Sequence, residues 1–186
     1  LLEKIERQTF RAAKIVNGLL NLSRQGKEDE PGIVDLNAVI TDVFALVEHQ
    51  FEVGRIKIRR ELAESTVPVN GLEHKLQQVF LNLFLNAKDA MPKGGWLSVS
   101  TRLDGERPVV EVSDTGSGIP SEYLARIYDP FFTTKTTAQG TGLGLSITYG
   151  IVREHHGTID CESIVGHGTR FILAFPPVSA EEASIP

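Results

Sequence analysis

Along the first 25 positions, apolar residues recur in alternating steps of four and three: Leu1, Ile5, Ala12, Ile15, Leu19 and Leu22, with one polar position at Gln8. That is the seam of a packed helix pair, so the spacing predicts a helix over 1–26 whose stripe needs a partner helix. Residues 27–32 are charged, end in Pro31 and Gly32, and read as a linker. The main domain is expected over 33–178, followed by a polar, frayed tail over 179–186. Within the domain, 33–36 reads as a short edge strand and 37–52 as a helix with Asn37 as N-cap. The alternation of Ile56, Ile58 and Arg60 predicts a strand over 55–62, and 67–69 is a shorter one. Leu76, Val79, Phe80, Leu83, Phe84, Ala87 and Ala90 form a broad helical face over 71–91, ended by Pro92, Gly94 and Gly95. Two strands follow at 96–104 and 108–114, joined around Gly105. Residues 115–142 have weak periodicity and are rich in Gly, Thr and Ser, as binding loops and lids often are. A helix over 143–155 and a hairpin of 157–163 with 168–176 close the domain.

Composition narrows the function classes. The 19 basic and 24 acidic residues give a net charge of −5, which argues against a broad basic nucleic-acid surface. Cys161 is the one cysteine, so neither an internal disulfide nor a multi-cysteine zinc site is available. No apolar run approaches the roughly 18 residues of a membrane span. The chain has no initiator Met and reads as a piece of a longer protein. Its 17 glycines are a slight excess, and their positions matter more than their number.

Three glycine clusters stand out: Asp114-Thr-Gly-Ser-Gly-Ile-Pro120 after a strand, Gly140-Thr-Gly-Leu-Gly-Leu-Ser146 opening a helix, and Gly166-His-Gly-Thr169 opening the last strand. Each alone is an ordinary turn. Together they carry more weight. Free N–H groups and the dipole at a helix start favour phosphate, and missing side chains let a backbone approach a ligand. A buried Asp114 is an acceptor for an exocyclic amine, or else a turn cap. Neither a P-loop nor a dinucleotide fingerprint is met. Asn82 and Asn86 share one face of the expected third helix. Two amides on an apolar helix serve internal hydrogen bonding or act as oxygen ligands for Mg²⁺.

These clusters, in their order, identify a family. The chain resembles the kinase portion of bacterial sensor histidine kinases, within the ATPase family that includes gyrase, Hsp90 and MutL. Leu81-Asn-Leu-Phe-Leu-Asn-Ala-Lys-Asp-Ala-Met91 resembles the family's N box, Asp129-Pro-Phe-Phe-Thr-Thr-Lys135 its F box, and the three clusters above its glycine motifs. The resemblance implies an α+β fold, a two-layer α/β sandwich of Bergerat type, with a mixed, largely antiparallel sheet and helices on one face, plus an N-terminal α-helix. It implies that residues 1–26 are the second helix of a dimerisation and histidine-phosphotransfer hairpin. By the same resemblance ATP and Mg²⁺ are the cofactors. Asn86 would coordinate the metal with Asn82 beside the phosphates or metal, and Asp114 would bind the adenine amine. Gly116, Gly118 and Ile119 would pass close to the nucleotide, and Lys135 would reach the terminal phosphates. Gly140, Thr141, Gly142, Leu143 and Gly144 would wrap the phosphates. Thr169 would support the adenine pocket, and Phe131 and Phe132 would pack the lid or the core.

Relatives that hydrolyse ATP with water place a Glu, as general base, where this chain has Asn82. An amide takes no proton at neutral pH. The substitution fits transfer to a protein histidine. None of the five histidines, His49, His74, His155, His156 and His167, has the family's acceptor context. His155 and His156 read as helix-end residues favourable to the dipole when charged. The acceptor is expected before Leu1, so the fragment would bind ATP without autophosphorylating. Asp89 is left without a role. The implied partners are the phosphotransfer hairpin of the same or a partner subunit, a response-regulator receiver domain and a second subunit of a homodimer, in a cytoplasmic setting. No nucleic acid and no membrane contact are expected. The rival readings are a related ATPase switch or protein-serine kinase using the same pocket, and a non-catalytic docking module.

Overall fold

The computed structural model describes residues 31–134 and 141–178. The expected helix over 1–26, most of the linker, Lys135, Gly140 and the tail lie outside the described residues. In chain order the elements are β1 (Gly32–Asp35), α1 (Leu36–Val53), β2 (Ile56–Glu61), β3 (Pro68–Gly71), α2 (Glu73–Ala90) and β4 (Gly95–Asp104). They continue with β5 (Arg107–Asp114), α3 (Ser121–Leu124), α4 (Gly144–Glu154), β6 (Thr158–Ile164) and β7 (Gly168–Ala174). The short helix α3 lies inside the stretch expected to be loop.

Five strands form one sheet in the order β2-β4-β5-β7-β6. The β2–β4 pair is parallel and the other three pairs are antiparallel, giving the mixed sheet that the resemblance implied. β1 is not an edge strand of that sheet. It pairs with β3 in a separate two-stranded ladder, Gly32 opposite Gly71 and Asp35 opposite Pro68.

Strand alternation sorts the sheet's side chains into two faces. Leu97, Val99, Val110, Val112, Phe171 and Leu173 point to one face and are buried. Phe44 of α1, Phe80 and Phe84 of α2, and Ile151 and Val152 of α4 join them in a single core. The other face is polar. There Glu111 is bonded by Arg102 and Arg170, and Arg170 also reaches Glu162 at 3.2 Å. Trp96 lies on that open face with Lys57 and Arg59 over its ring at 5.2 and 5.3 Å. Among the described residues, helices therefore cover one face only, as a two-layer sandwich requires.

The start of α1 differs from expectation. Asp35, not Asn37, is the N-cap: its Oδ1 accepts from Asn37 N at 3.1 Å and from Val67 N at 2.9 Å. Asn37 turns outward from the helix, donating to Ala63 O and Ser65 O at 3.0 Å while accepting from Thr101 Oγ1 at 2.6 Å. Both residues have cap chemistry, and partners distant in sequence decide between them.

The core centres on aromatic packing between the helices: the Phe44 and Phe84 rings stack with centroids 4.5 Å apart, and Phe80 lies 6.3 Å from Phe84. Phe84→Ala is expected to cost about 3–5 kcal/mol in urea unfolding, because a fully buried ring leaves a cavity. A loss under about 1 kcal/mol, the scale of an ordinary substitution, would contradict this packing.

Candidate nucleotide site

Asp114 ends β5, and the register pairs it with Leu97 on β4 and Thr169 on β7. Leu97 belongs to the buried set, so the same register turns Asp114 and Thr169 inward. They are only 8% and 6% exposed. Asp114 Oδ1 accepts the Gly116 N–H at 2.7 Å. Burial pushes the Asp114 carboxyl above the usual range, and hydrogen bonds from the Gly116 and Thr169 backbone offset this only in part. A carboxylate buried this way accepts readily from a ligand amine.

The chain beyond Asp114 is held at both sides. Ser117 N–H donates to Ala90 O, at the end of α2, at 3.0 Å, and Ile119 N–H donates to Ser163 Oγ at 2.8 Å. Ser163 in turn donates to Gly168 O at 2.9 Å and stands 3.0 Å from Thr169 Oγ1. Two positions here tolerate no side chain. Gly118 has φ 69°, and a Cβ on it would lie 2.2 Å from Ile164 O. Gly168 has φ 112°, with its Cβ position 1.9 Å from Asp114 O. Asp114, Ser163, His167 and Thr169 border a hollow of about 200 Å³.

The amides face the start of α4. Asn82 Nδ2 donates to Gly144 O at 3.2 Å and to Thr148 Oγ1 at 3.4 Å. A Cβ on Gly144 would stand 3.9 Å from Asn86 Nδ2 and 4.0 Å from Asn82 Oδ1. No side chain caps α4 at Leu143. Its first-turn N–H groups receive no bond from the cap residue, and with the helix dipole they form an anion-receptive end. Thr141 Oγ1 accepts from Leu143 N–H at 3.4 Å, and Gly142 O accepts from Phe131 N–H at 2.9 Å. The far end of α4 is fixed by His155, which is buried rather than a solvated helix-end group. Its Nε2 accepts from Leu72 N–H at 3.0 Å and its Nδ1 donates to Ile151 O at 2.8 Å.

The sequence pattern of the family described as "Histidine kinase-, DNA gyrase B-, and HSP90-like ATPase" matches residues 71–179. The chain belongs to this family. As one of these ATPase-family chains it is 37% identical to sensor kinase CckA of Brucella abortus (strain 2308), over 96% of the chain and 20% of CckA. The nucleotide-free catalytic domain of histidine kinase ThkA superposes with a TM-score of 0.72 at 33% identity, over 80% of this chain and 96% of that one. ThkA in complex with response regulator protein TrrA gives 0.73 at 27% identity, over 97% of this chain and 51% of that one. The fold is thus that of histidine kinase catalytic domains. The chain spans 20% to 39% of the curated relatives' own length.

The expected residues of this ATPase domain fall into two linked groups. Ile119 and Thr169 meet at Ser163, Asp114 pairs with Thr169 and bonds Gly116, and Gly118 packs on Ile164; Asn82, Asn86 and Gly144 meet at the start of α4 with Leu143, Gly142 and Thr141 leading in. The C-terminal half of α2 joins them, since Gly116 packs on Ala90, one turn beyond Asn86. Phe132 packs on Tyr123 and under Arg126. Phe131 does not pack beside it: with φ 67° and its N–H held by Gly142, its ring is turned outward and 74% exposed. Ser163 and Thr148 were not singled out by sequence. Ser163 gains its role from strand register, which leaves no local signal, whereas the four-residue spacing of Thr148 from Gly144 was readable.

A raised Asp114 pKa gives a signed expectation. Affinity for a fluorescent ATP analogue should fall as pH drops through the raised value, beginning above the usual aspartate value of about 3.9. Asp114→Asn should bind about ten-fold more weakly at neutral pH and lose this pH dependence. Unchanged binding in the variant would contradict the assignment.

Proposed function

We propose that this chain is the ATP-binding catalytic part of a sensor histidine kinase, transferring the γ-phosphoryl group of Mg²⁺–ATP to a protein histidine for relay to a response regulator. The observation that carries the choice of acceptor is Asn82. Its Nδ2 donates to Gly144 O and Thr148, and an amide takes no proton from water. An incoming imidazole needs no such base. Its nitrogen attacks the γ-phosphorus, the bond to the bridging oxygen breaks, ADP leaves and the imidazole N–H proton is released.

In this reading Asp114 accepts the adenine amine, with Thr169 beside it and Gly116, Gly118 and Ile119 passing close to the base. Backbone N–H groups of Thr141, Gly142, Leu143 and Gly144 hold phosphate oxygens, and Gly140 and Lys135 complete the phosphate contacts. Asn86 and Asn82 fit Mg²⁺, a hard cation that takes few protein oxygens and keeps waters and phosphates as its other ligands. When bound, the metal offsets phosphate charge. Among the described residues no cluster of three His, Cys, Asp or Glu side chains offers another metal cage.

Residues 1–26 are proposed as the second hairpin helix, with the acceptor histidine on a hairpin of the same or a partner subunit of a homodimer. The similarity to ThkA, which was solved with TrrA, supports a receiver domain as the next partner. No helix among the described residues is long and apolar enough to cross a membrane, and a cytoplasmic setting is proposed with the kinase role.

The test supplies a hairpin bearing an acceptor histidine to the 186-residue chain with Mg²⁺ and labelled ATP. The expected product is acid-labile phosphohistidine on the hairpin, lost in Asp114→Asn. Steady phosphate release into water without labelling would favour an ATPase switch. No binding at millimolar nucleotide would leave a docking module.

A further inference from the structure

We infer that Thr148 is a positioning residue that turns the carbonyl oxygen of Asn82, rather than its amide hydrogens, toward the metal–phosphate side of the site. The inference rests on the Mg²⁺–ATP reading above. Its basis is the commitment of the Asn82 amide on α4. The Gly144 carbonyl oxygen, 3.2 Å away, can only accept, so the atom facing it is Nδ2. Thr148 Oγ1 lies 3.4 Å from the same nitrogen, one helical turn beyond Gly144. Together they form a two-point clasp. Gly144 selects which end of the amide faces α4, and Thr148 holds its angle. Asn82 is 8% exposed and Thr148 is fully buried, so water competes little for these bonds.

An amide plane with its nitrogen committed on one side presents its oxygen on the other. Asn82 Oδ1 and Asn86 Nδ2 both approach the point where a Gly144 Cβ would stand, at 4.0 and 3.9 Å. The two amides thus border one space at the anion-receptive end of α4. A carbonyl oxygen there suits a hard cation or the water on it, and repels a phosphate oxygen. Asn82 therefore serves the cation side of the site. Without the Thr148 hydroxyl the amide keeps one anchor and rotates, so its hydrogens share the position that the oxygen should hold. Valine matches threonine's branched shape in a helix and lacks only the hydroxyl.

Calorimetric titration of the 186-residue chain with ATP, once with Mg²⁺ and once with the metal chelated, separates the roles. Thr148→Val should bind metal-free ATP within about two-fold of wild type and lose about three- to ten-fold of the affinity gained on adding Mg²⁺. Thr148→Ser, which keeps the hydroxyl, should restore the gain. Thr148→Ala should show the same split as valine and serves if valine fails to fold. Retention of the full Mg²⁺ gain in Thr148→Val, or equal loss of both affinities, would overturn the inference. A wild-type chain that binds ATP but shows no Mg²⁺ gain would instead overturn the metal reading on which it rests.

Discussion

The backbone of β7 at Gly168 lies against the Asp114 carbonyl of β5, closer than any side chain would allow. The site depends on that approach. It lets β7 begin in register beside the end of β5, which sets Thr169 opposite Asp114 and both on the helix-covered face. From there Ser163 reaches Gly168, Thr169 and Ile119, so one hydroxyl joins the last hairpin to the turn that follows Asp114. The same turn is fastened to the end of α2 through Ala90. The Asp114 turn and the start of α4 are thereby tied to one helix, α2, which carries Ala90 at its end and the two amides one and two turns earlier.

This arrangement sets function against stability. Burial raises the Asp114 pKa, so its contribution to the fold is fully present below the ordinary aspartate range and is lost as pH rises through the raised value. At neutral pH the ionised group costs stability without ligand, and a donor from the ligand would offset that cost. Glu111, on the open face, has the opposite sign. Burial raises its pKa, but hydrogen bonds from Arg170 and Arg102 outweigh this, and the net value is lowered. Its contribution is present above the ordinary glutamate range and lost as pH falls through the lowered value. The contrast comes from partners: two arginines face Glu111, whereas only backbone N–H groups offset the burial of Asp114.

Local pattern revealed most of the architecture. The apolar face of α2, the strand alternation and the glycine turns are each set by neighbouring residues, so they could be read in order along the chain. Choices made by distant partners could not. β1 reads as an edge strand until β3 takes it; Asn37 reads as the cap until Val67 engages Asp35, and Ala63 and Thr101 draw Asn37 away. Phe131 reads as a packing residue, yet a single bond to Gly142 turns it out. His155 reads as a helix end, and Leu72 makes it a buried strut. For the site, residue types pointed to nucleotide chemistry, while the orientation of the Asn82 amide required the fold.

A single ligand reaching from the Asp114 pocket to the paired amides of α2 would touch both groups at once. Amide-resolved NMR during titration with Mg²⁺–ATP tests it most directly. Shifts are expected at the Gly116 and Thr169 backbone N–H groups together with the Asn82 and Asn86 side-chain amides, the latter pair responding further when metal is added to bound ATP. Shifts centred instead on the hollow of about 400 Å³ beside Gly71, Glu154 and His155, with those four groups unmoved, would contradict it.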